Sequence, residues 1–252
     1  MSGLITVTAA AASETGQARQ NNEDSAYSGK HLFAVADGMG GHAAGEVASA
    51  AVIESLRAHD DVVPPAVLLE VLGHAVTEAN AEVARRAAED PARFGMGTTL
   101  TAMLWSGDRA ALVHVGDSRA FRLRDGQLRQ ITEDHVLGNL VSNAGSLAPV
   151  LSRYLDGRPD RSPDLGLCEL RPGDRYLLCS DGLSPVVGTA AIGAVLAGTP
   201  DPAGAVLQLV ALAEEAGGPD NISVIVIDVR PGDGSGPTEP VMLGAAAAAL
   251  TR

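Results

Sequence analysis

The stretch TTLTAMLW-SGD-RAALVHVG-DS-RAFRLR-DG-QLRQIT, residues 98–132, decides the fold class. Its apolar pieces are too short for helices. They are separated by Ser106-Gly107-Asp108, Gly116-Asp117-Ser118 and Asp125-Gly126, residue types that reverse a chain within a few positions. Strands joined by reversals this short run antiparallel, so the block reads as an antiparallel meander. Upstream, residues 2–10 alternate loosely and predict a first strand, and HLFAVA (31–36) predicts a buried strand that stops at Asp37-Gly38. Residues 43–58 and 66–89 are rich in Ala, Leu and Glu with helical periodicity. Pro64-Pro65 divides them, which predicts an antiparallel helix pair. Downstream, the pattern predicts a short helix over 135–144, a surface segment over 145–165, and strands over 166–170 and 174–180 joined by Arg171-Pro172-Gly173. Helices follow over 189–198 and 202–216, and ISVIVIDV (222–229) is the strongest strand signal in the chain. Strands and helices come in blocks rather than in alternation. That argues for an α+β protein in which helices cover two stacked antiparallel sheets from both outer faces. After Arg230 the composition turns to Pro-Gly-Asp-Gly-Ser-Gly-Pro. One domain over 1–230 is expected, followed by a disordered tail over 231–252, with a frayed helix over its Ala run as the alternative.

A chain of 252 residues can bury one sizeable core, and 46% hydrophobic with 19% charged residues excludes disorder by composition. The formal net charge of −13 repels phosphate backbones and anionic lipid, so neither nucleic acid nor a membrane surface is expected as a partner. An acidic protein that handles phosphate needs a local reversal of its field, usually a metal ion. Cys168 and Cys179 sit in apolar runs without metal-motif spacing and read as buried free thiols in a reducing compartment. No run reaches the roughly 20 apolar residues of a membrane helix, and Met1 to Ser13 lack a positive leader. A cytoplasmic location is therefore expected, and a monomer is the default.

Three aspartates lie at ends of apolar strands: Asp37 after FAVA, Asp181 after YLLCS, and Asp220 just before ISVIVIDV. Their neighbours are Gly38, Gly182 and Asn221. An Asp-Gly after a strand is by itself only a turn signal, as expected for Asp125-Gly126 and Asp233-Gly234. Were the three strands sheet neighbours, their carboxylates would converge and raise one another's pKa. A hard divalent cation removes that conflict, and an all-oxygen donor set favours Mg²⁺ or Mn²⁺ over zinc.

Seven strings give these aspartates a context: GQARQNNED (16–24), FAVADGMGGHAAGE (33–46), GTTL (97–100), HVGDSR (114–119), TEDH (132–135), YLLCSDGL (176–183) and GPDNIS (218–223). Together and in this order, from about residue 5 to 229, they resemble the metal-dependent Ser/Thr protein phosphatases of the PPM (type 2C) family in its compact bacterial form. The resemblance implies a four-layer α-β-β-α sandwich with a two-metal centre at one end, loaded with Mn²⁺ or Mg²⁺. It implies that Asp37 bridges both ions, that the Gly38 carbonyl binds one, and that Asp181 and Asp220 bind the other. Glu23 would act through metal-bound water with Asp24 in support, Asn221 would orient Asp220, and Arg19 would grip the substrate phosphate. A metal-activated water would then attack the phosphorus of phosphoserine or phosphothreonine in proteins, opposing Ser/Thr kinases. That chemistry needs no cysteine nucleophile, and a planar guanidinium suits two phosphate oxygens better than a lysine does.

Three departures from the family pattern stand out, beside two histidines that follow it. Met39 occupies the place of a histidine proposed as general acid in some members, and His42 lies three residues on, in a capping or supporting role. His114 and His135 read as structural. Asp117 matches a ligand of a third metal, but Pro185 stands where its partner aspartate would be, which puts the third ion in doubt and leaves the HVGDSR turn as the alternative role for Asp117. The flap between Ala144 and Pro159 is short, which predicts a more open site. Two other readings compete: a non-catalytic module of the same fold that binds phosphoproteins or a kinase, and a hydrolase of small phosphate esters.

Overall fold

The computed structural model describes residues 4–40, 44–141, 147–237 and 239–249. Strands β1 (Ile5–Glu14), β2 (Asp24–Ser28) and β3 (Leu32–Met39) lead into helices α1 (Ala44–Leu56) and α2 (Leu68–Glu89). The meander follows as β4 (Gly97–Thr98), β5 (Leu100–Ser106), β6 (Arg109–Val115), β7 (Arg119–Arg124) and β8 (Gln127–Gln130). Then come β9 (Val136–Val141), β10 (Leu147–Leu151), β11 (Asp164–Glu169) and β12 (Arg175–Cys179). The chain continues through α3 (Ser184–Val187), α4 (Thr189–Gly198), α5 (Pro202–Glu215), β13 (Ile222–Pro231), β14 (Val241–Gly244) and α6 (Ala245–Ala249). One sheet runs β1-β13-β12-β7-β8. The other runs β11-β6-β5-β3-β2-β14, with β4 paired to β3, and β9 and β10 make a separate two-stranded ribbon.

Residue alternation along the strands sets the layers. In β3, Phe33 and Val35 face the second sheet, where they meet Tyr176 and Leu178 of β12 and Ile225 and Ile227 of β13. The intervening Leu32, Ala34 and Ala36 pack under α1 and α2. On the other sheet, Leu177, Cys179, Val224 and Val226 turn outward against Ile192, Leu196 and Leu209 of α4 and α5. Asp201 caps α5 by accepting the Gly204 N–H at 2.8 Å, with Pro202 at the first helical position. The result is helix on sheet on sheet on helix, as expected.

The structure corrects the sequence reading at four places. Residues 136–141 of the expected helix form β9, antiparallel to β10. Gly138 lies in that segment with a φ of 137°, a conformation that no helix interior accommodates. Residue 135 of that helix precedes the strand, and 142–144 fall outside the described residues, as do 144–146 of the stretch 144–159 on which the short flap was read. The expected surface segment 145–165 contains β10 and the start of β11. Strand β2, DSAYS, went unread because it is polar, yet every one of its residues is buried. The expected disordered tail is ordered over most of its length. Val7 donates its N–H to Ser235 O at 2.9 Å, β14 pairs with β2, and α6 buries Ala245 and Ala246 in the core beneath α1. The Ala246 N–H reaches Ser25 Oγ at 3.1 Å. An alanine run carries no polar face to read, but it is the shape that fits against the small-residue surface of α1.

Deleting residues 238–252 removes β14 and α6 and uncovers the β2 edge. Denaturant unfolding is expected to show a loss of about 2–4 kcal/mol. An unchanged midpoint would mean that the tail contributes nothing to the fold.

Candidate metal centre

The register of β2 against β3 sets Asp24 directly opposite Asp37. Both follow the inward-facing stripe of Ala26, Phe33 and Val35, so both carboxylates enter the layer between the sheets. Facing residues of an antiparallel pair hold their Cβ atoms about 4.5–5.5 Å apart, and like charges there repel. On the opposite sheet the inward stripes Tyr176–Leu178 and Ile227–Ile225 continue to Ser180 and Ser223. Ser180 closes this end by donating its N–H to Ser223 O at 3.0 Å, while its Oγ accepts the Ser223 N–H at 2.9 Å. Asp181 lies two residues after β12 and Asp220 two residues before β13. The inter-sheet layer thus passes from apolar side chains through hydroxyls to carboxylates.

Asp24 is fully buried, and neither of its carboxylate oxygens has a hydrogen-bond partner; Ser180 and Ser223 lie near without closing a bond. Burial, with the charges of Asp181 and Asp220, pushes its pKa up to about 7 against a partial offset from the two hydroxyls. Asp37 retains some exposure, yet burial of its carboxyl and then the charges of Asp24, Asp181, Asp117 and Asp220 hold it well above the usual carboxylate range. Asp181 is raised by burial and by Asp220, and its Oδ1 also lacks a partner. Asp117, 8% exposed, is pushed up to about 7 by burial and then by Asp181. Among the described residues no three His, Cys, Asp or Glu side chains close into a ready-made metal cage. The convergence is therefore one of strand ends and electric fields rather than of oxygens at ligand distances. Three orphaned carboxylate oxygens in an all-oxygen set nevertheless fit a hard divalent cation, which would meet their need for an electropositive partner.

Glycines let the backbone close around these groups. A Cβ on Gly38 would stand 2.2 Å from Gly45 O, and one on Gly182 would stand 2.0 Å from Asn221 O. Gly38 also donates its N–H to Glu23 O at 3.2 Å, which brings Glu23 beside the Gly38 backbone. Burial raises the Glu23 carboxyl; Arg19 lowers it, and Glu46 and Asp220 raise it further. Arg19 is exposed, and its Nη2 donates to Asp220 Oδ2 at 2.5 Å.

Asn221 meets Asp220 through its main chain. Its backbone N–H, not its amide, holds Asp220 Oδ1, at 2.8 Å. The side chain donates to Thr15 O and Asn21 O at 2.6 and 2.9 Å and accepts the Glu23 N–H at 2.8 Å, so it fixes the loop that carries Arg19. Sequence reasoning missed the role of Thr98 and Thr99. Thr99 Oγ1 accepts the Asp37 N–H at 3.0 Å and Thr98 Oγ1 donates to Asp37 O at 2.9 Å, which locks the backbone of the central aspartate. The string GTTL was the available signal.

His114 is held between Thr101 Oγ1 and Glu133 O, each 2.9 Å away. Burial, then the neighbouring His135, pushes its pKa down to about 4, in keeping with a structural role. Pro185 is exposed at the start of α3, and His42 lies outside the described residues. Burial pushes the Cys179 thiol up to about 12, so it is no nucleophile.

Comparison with known proteins agrees with this geometry. The protein phosphatase 2C family model matches residues 12–210. The serine/threonine protein phosphatase PstP of Mycobacterium tuberculosis is 46% identical over 246 residues, covering 94% of this chain but 47% of PstP, so the chain spans about half the length of that curated relative. Protein phosphatase PhpP of Streptococcus pneumoniae is 32% identical over 238 residues, covering 87% of this chain and 96% of PhpP. Among solved structures, the catalytic domain of PstP in complex with two manganese ions superposes with a TM-score of 0.82 at 46% identity, covering 90% of this chain and 99% of that one.

In chelator at pH 8, Asp24→Asn is expected to be more stable than the wild type by about 1–3 kcal/mol, because it removes an unpartnered buried charge. The folded pKa of Asp24 lies above its unfolded value, so this carboxyl destabilises the fold progressively as pH rises from about 4 to 7. The advantage of the variant should therefore vanish near pH 4. Denaturant midpoints at both pH values check it.

Proposed function

Because the chain belongs to the protein phosphatase 2C family, we propose that it is a metal-dependent phosphatase of phosphoserine and phosphothreonine in proteins. The observation that carries this reading is the meeting of Asp24, Asp37, Asp117, Asp181 and Asp220 at one end of the sandwich, beside an arginine that is free to reach solvent. Asp37, the Gly38 carbonyl, Asp181 and Asp220 would hold two Mn²⁺ or Mg²⁺ ions, with Glu23 acting through water and Asp24 in support. Asp117 is near enough to Asp181 to feel its charge, but Pro185 offers no partner for a third ion. When bound, such ions supply Lewis-acid charge and an activated water.

The chain's own residues do the rest. Thr98 and Thr99 keep Asp37 from drifting, and Asn221 holds the loop of Arg19 and Glu23 in place. Arg19 exchanges its bond to Asp220 for two oxygens of the substrate phosphate, which frees Asp220 to act as a ligand. That exchange couples substrate binding to completion of the donor set. Neither cysteine takes part. The catalytic unit extends from β1 through α6, past the boundary expected at residue 230. Such an activity would oppose Ser/Thr kinases. Among the described residues no helix is long and apolar enough to cross a membrane.

Phosphate release from phosphothreonine peptides and from an aryl phosphate tests the reading, with Mn²⁺, with Mg²⁺ and with chelator. Turnover is expected only with metal, and Asp37→Asn and Asp181→Asn should each lower kcat by about 10²-fold or more. Absence of metal-dependent turnover in the wild type would favour a binding module, and turnover of the aryl ester alone would favour a small-ester hydrolase. Separately, Arg19→Ala is expected to raise KM for the peptide about 10-fold, with Arg19→Lys recovering only part of it.

A further inference from the structure

Away from the metal centre, β7 and β8 place Arg122 directly opposite Arg129. Arg122 shares the inward-facing register of Ala120, and its field reaches Cys168 and Tyr176 between the sheets. Two cations facing each other across a ladder destabilise it unless something neutralises them. Their neighbours are neutralised: Arg119 pairs with Asp134, Arg124 with Asp174, Arg153 with Asp164 and Arg171 with Glu169. Among the described residues neither Arg122 nor Arg129 has a carboxylate partner, and the Arg122 Nε is buried without an acceptor. Both arginines line a cavity of about 590 Å³ along the open edge of the sandwich, walled by Leu112, Ile131 and Leu165. The carboxylates that line it are Glu133, which is exposed, and Asp164, which is already engaged by Arg153 and His135.

We propose that this cavity is an exosite for a second phosphorylated side chain on the same polypeptide substrate. The proposal rests on the phosphatase reading above and adds a substrate class to it. An unpaired guanidinium pair with an empty donor is the chemistry that takes a phosphate dianion in bidentate fashion, and the apolar wall suits the peptide around it. The position fits as well. Arg119 lies at the end of β7 close enough to act on Asp117 and Asp181. Arg122 is three residues farther along that strand, or about 10 Å at ~3.3 Å per residue. An extended peptide spans that distance in about three residues. In a chain of net charge −13, a site that retains such a substrate needs a local cationic patch besides Arg19.

The test compares a phosphothreonine peptide with doubly phosphorylated versions whose second phosphate lies two to five residues away on either side. Wild type is expected to show a KM about 5- to 10-fold lower for a doubly phosphorylated peptide spaced by about three residues. In Arg122→Gln and Arg129→Gln that ratio should fall to about one, and Arg122→Lys should restore part of it. Both glutamine variants relieve a like-charge contact, so the sheet is expected to fold, and thermal melting verifies this. A ratio that is the same in wild type and variants, or no preference for any doubly phosphorylated peptide, overturns the exosite. Loss of all turnover, the aryl phosphate included, would instead be failure of the phosphatase reading. Calorimetry with the doubly phosphorylated peptide then decides the exosite alone: weaker binding to Arg122→Gln than to wild type supports it, and equal binding overturns it.

Discussion

The structure turns on one unfavourable contact, the placing of Asp24 opposite Asp37 at the end of the layer between the sheets. A register slip of one residue would relieve it at once, because it would send one carboxylate to the helix side. The slip would also expel the apolar residues of the strand that moves, Ala26 along with Asp24 or Phe33 and Val35 along with Asp37, from the inter-sheet core, where each is essentially without solvent contact. Burial of that stripe, about 25 cal/mol for each Å² of apolar surface, fixes the register, and the register imposes the charge conflict. Core packing therefore stores electrostatic strain at the sandwich end, in the form a divalent cation relieves.

The same end is closed by backbone rather than by side chains. Gly38 against Gly45 and Gly182 against the Asn221 carbonyl are approaches that no Cβ would permit. Thr98, Thr99 and Asn221 then saturate the nearby backbone groups. Saturating the backbone leaves the carboxylates as the unsatisfied oxygens, which is why the orphaned atoms concentrate on Asp24 and Asp181.

Legibility from sequence followed the strength of local patterns. The meander, β3, β13 and the helix pair were readable because apolar residues repeat with the period of their element and turn residues punctuate them. Asp37, Asp181 and Asp220 were readable because each sits beside such a strand. Strand β2 was not, because Asp24, Ser25 and Ser28 carry no strand signal and owe their burial to the position of β2 between β3 and β14. Strand β9 was mistaken for helix because the length and apolar content of VLGNLV fit either state, and its pairing with β10 decides between them. The ordered tail was hidden because alanine has high helix propensity but no facedness. The Asn221 side chain contacts residues some 200 positions away in the chain, which no local pattern reveals.

Arginine usage ties the field to recognition. Arg175 is locked: its guanidinium meets both oxygens of Asp228 and the carbonyls of Leu196 and Thr199, with 9% of each side chain exposed. Such a cation cannot leave without stranding several buried acceptors. Arg19 is the opposite case. Its side chain is 44% exposed and contacts one oxygen of Asp220. A solvent-exposed pair of that kind contributes about 0–1 kcal/mol, less than a charge-assisted bidentate bond to phosphate offers. The chain thus sorts its arginines by burial into fixed struts and exchangeable hands. Under the proposed function, exchange at Arg19 would have a second consequence, because the carboxylate it releases is one that a cation would claim. Phosphate binding at Arg19 would then free the aspartate that metal binding uses, and each would favour the other.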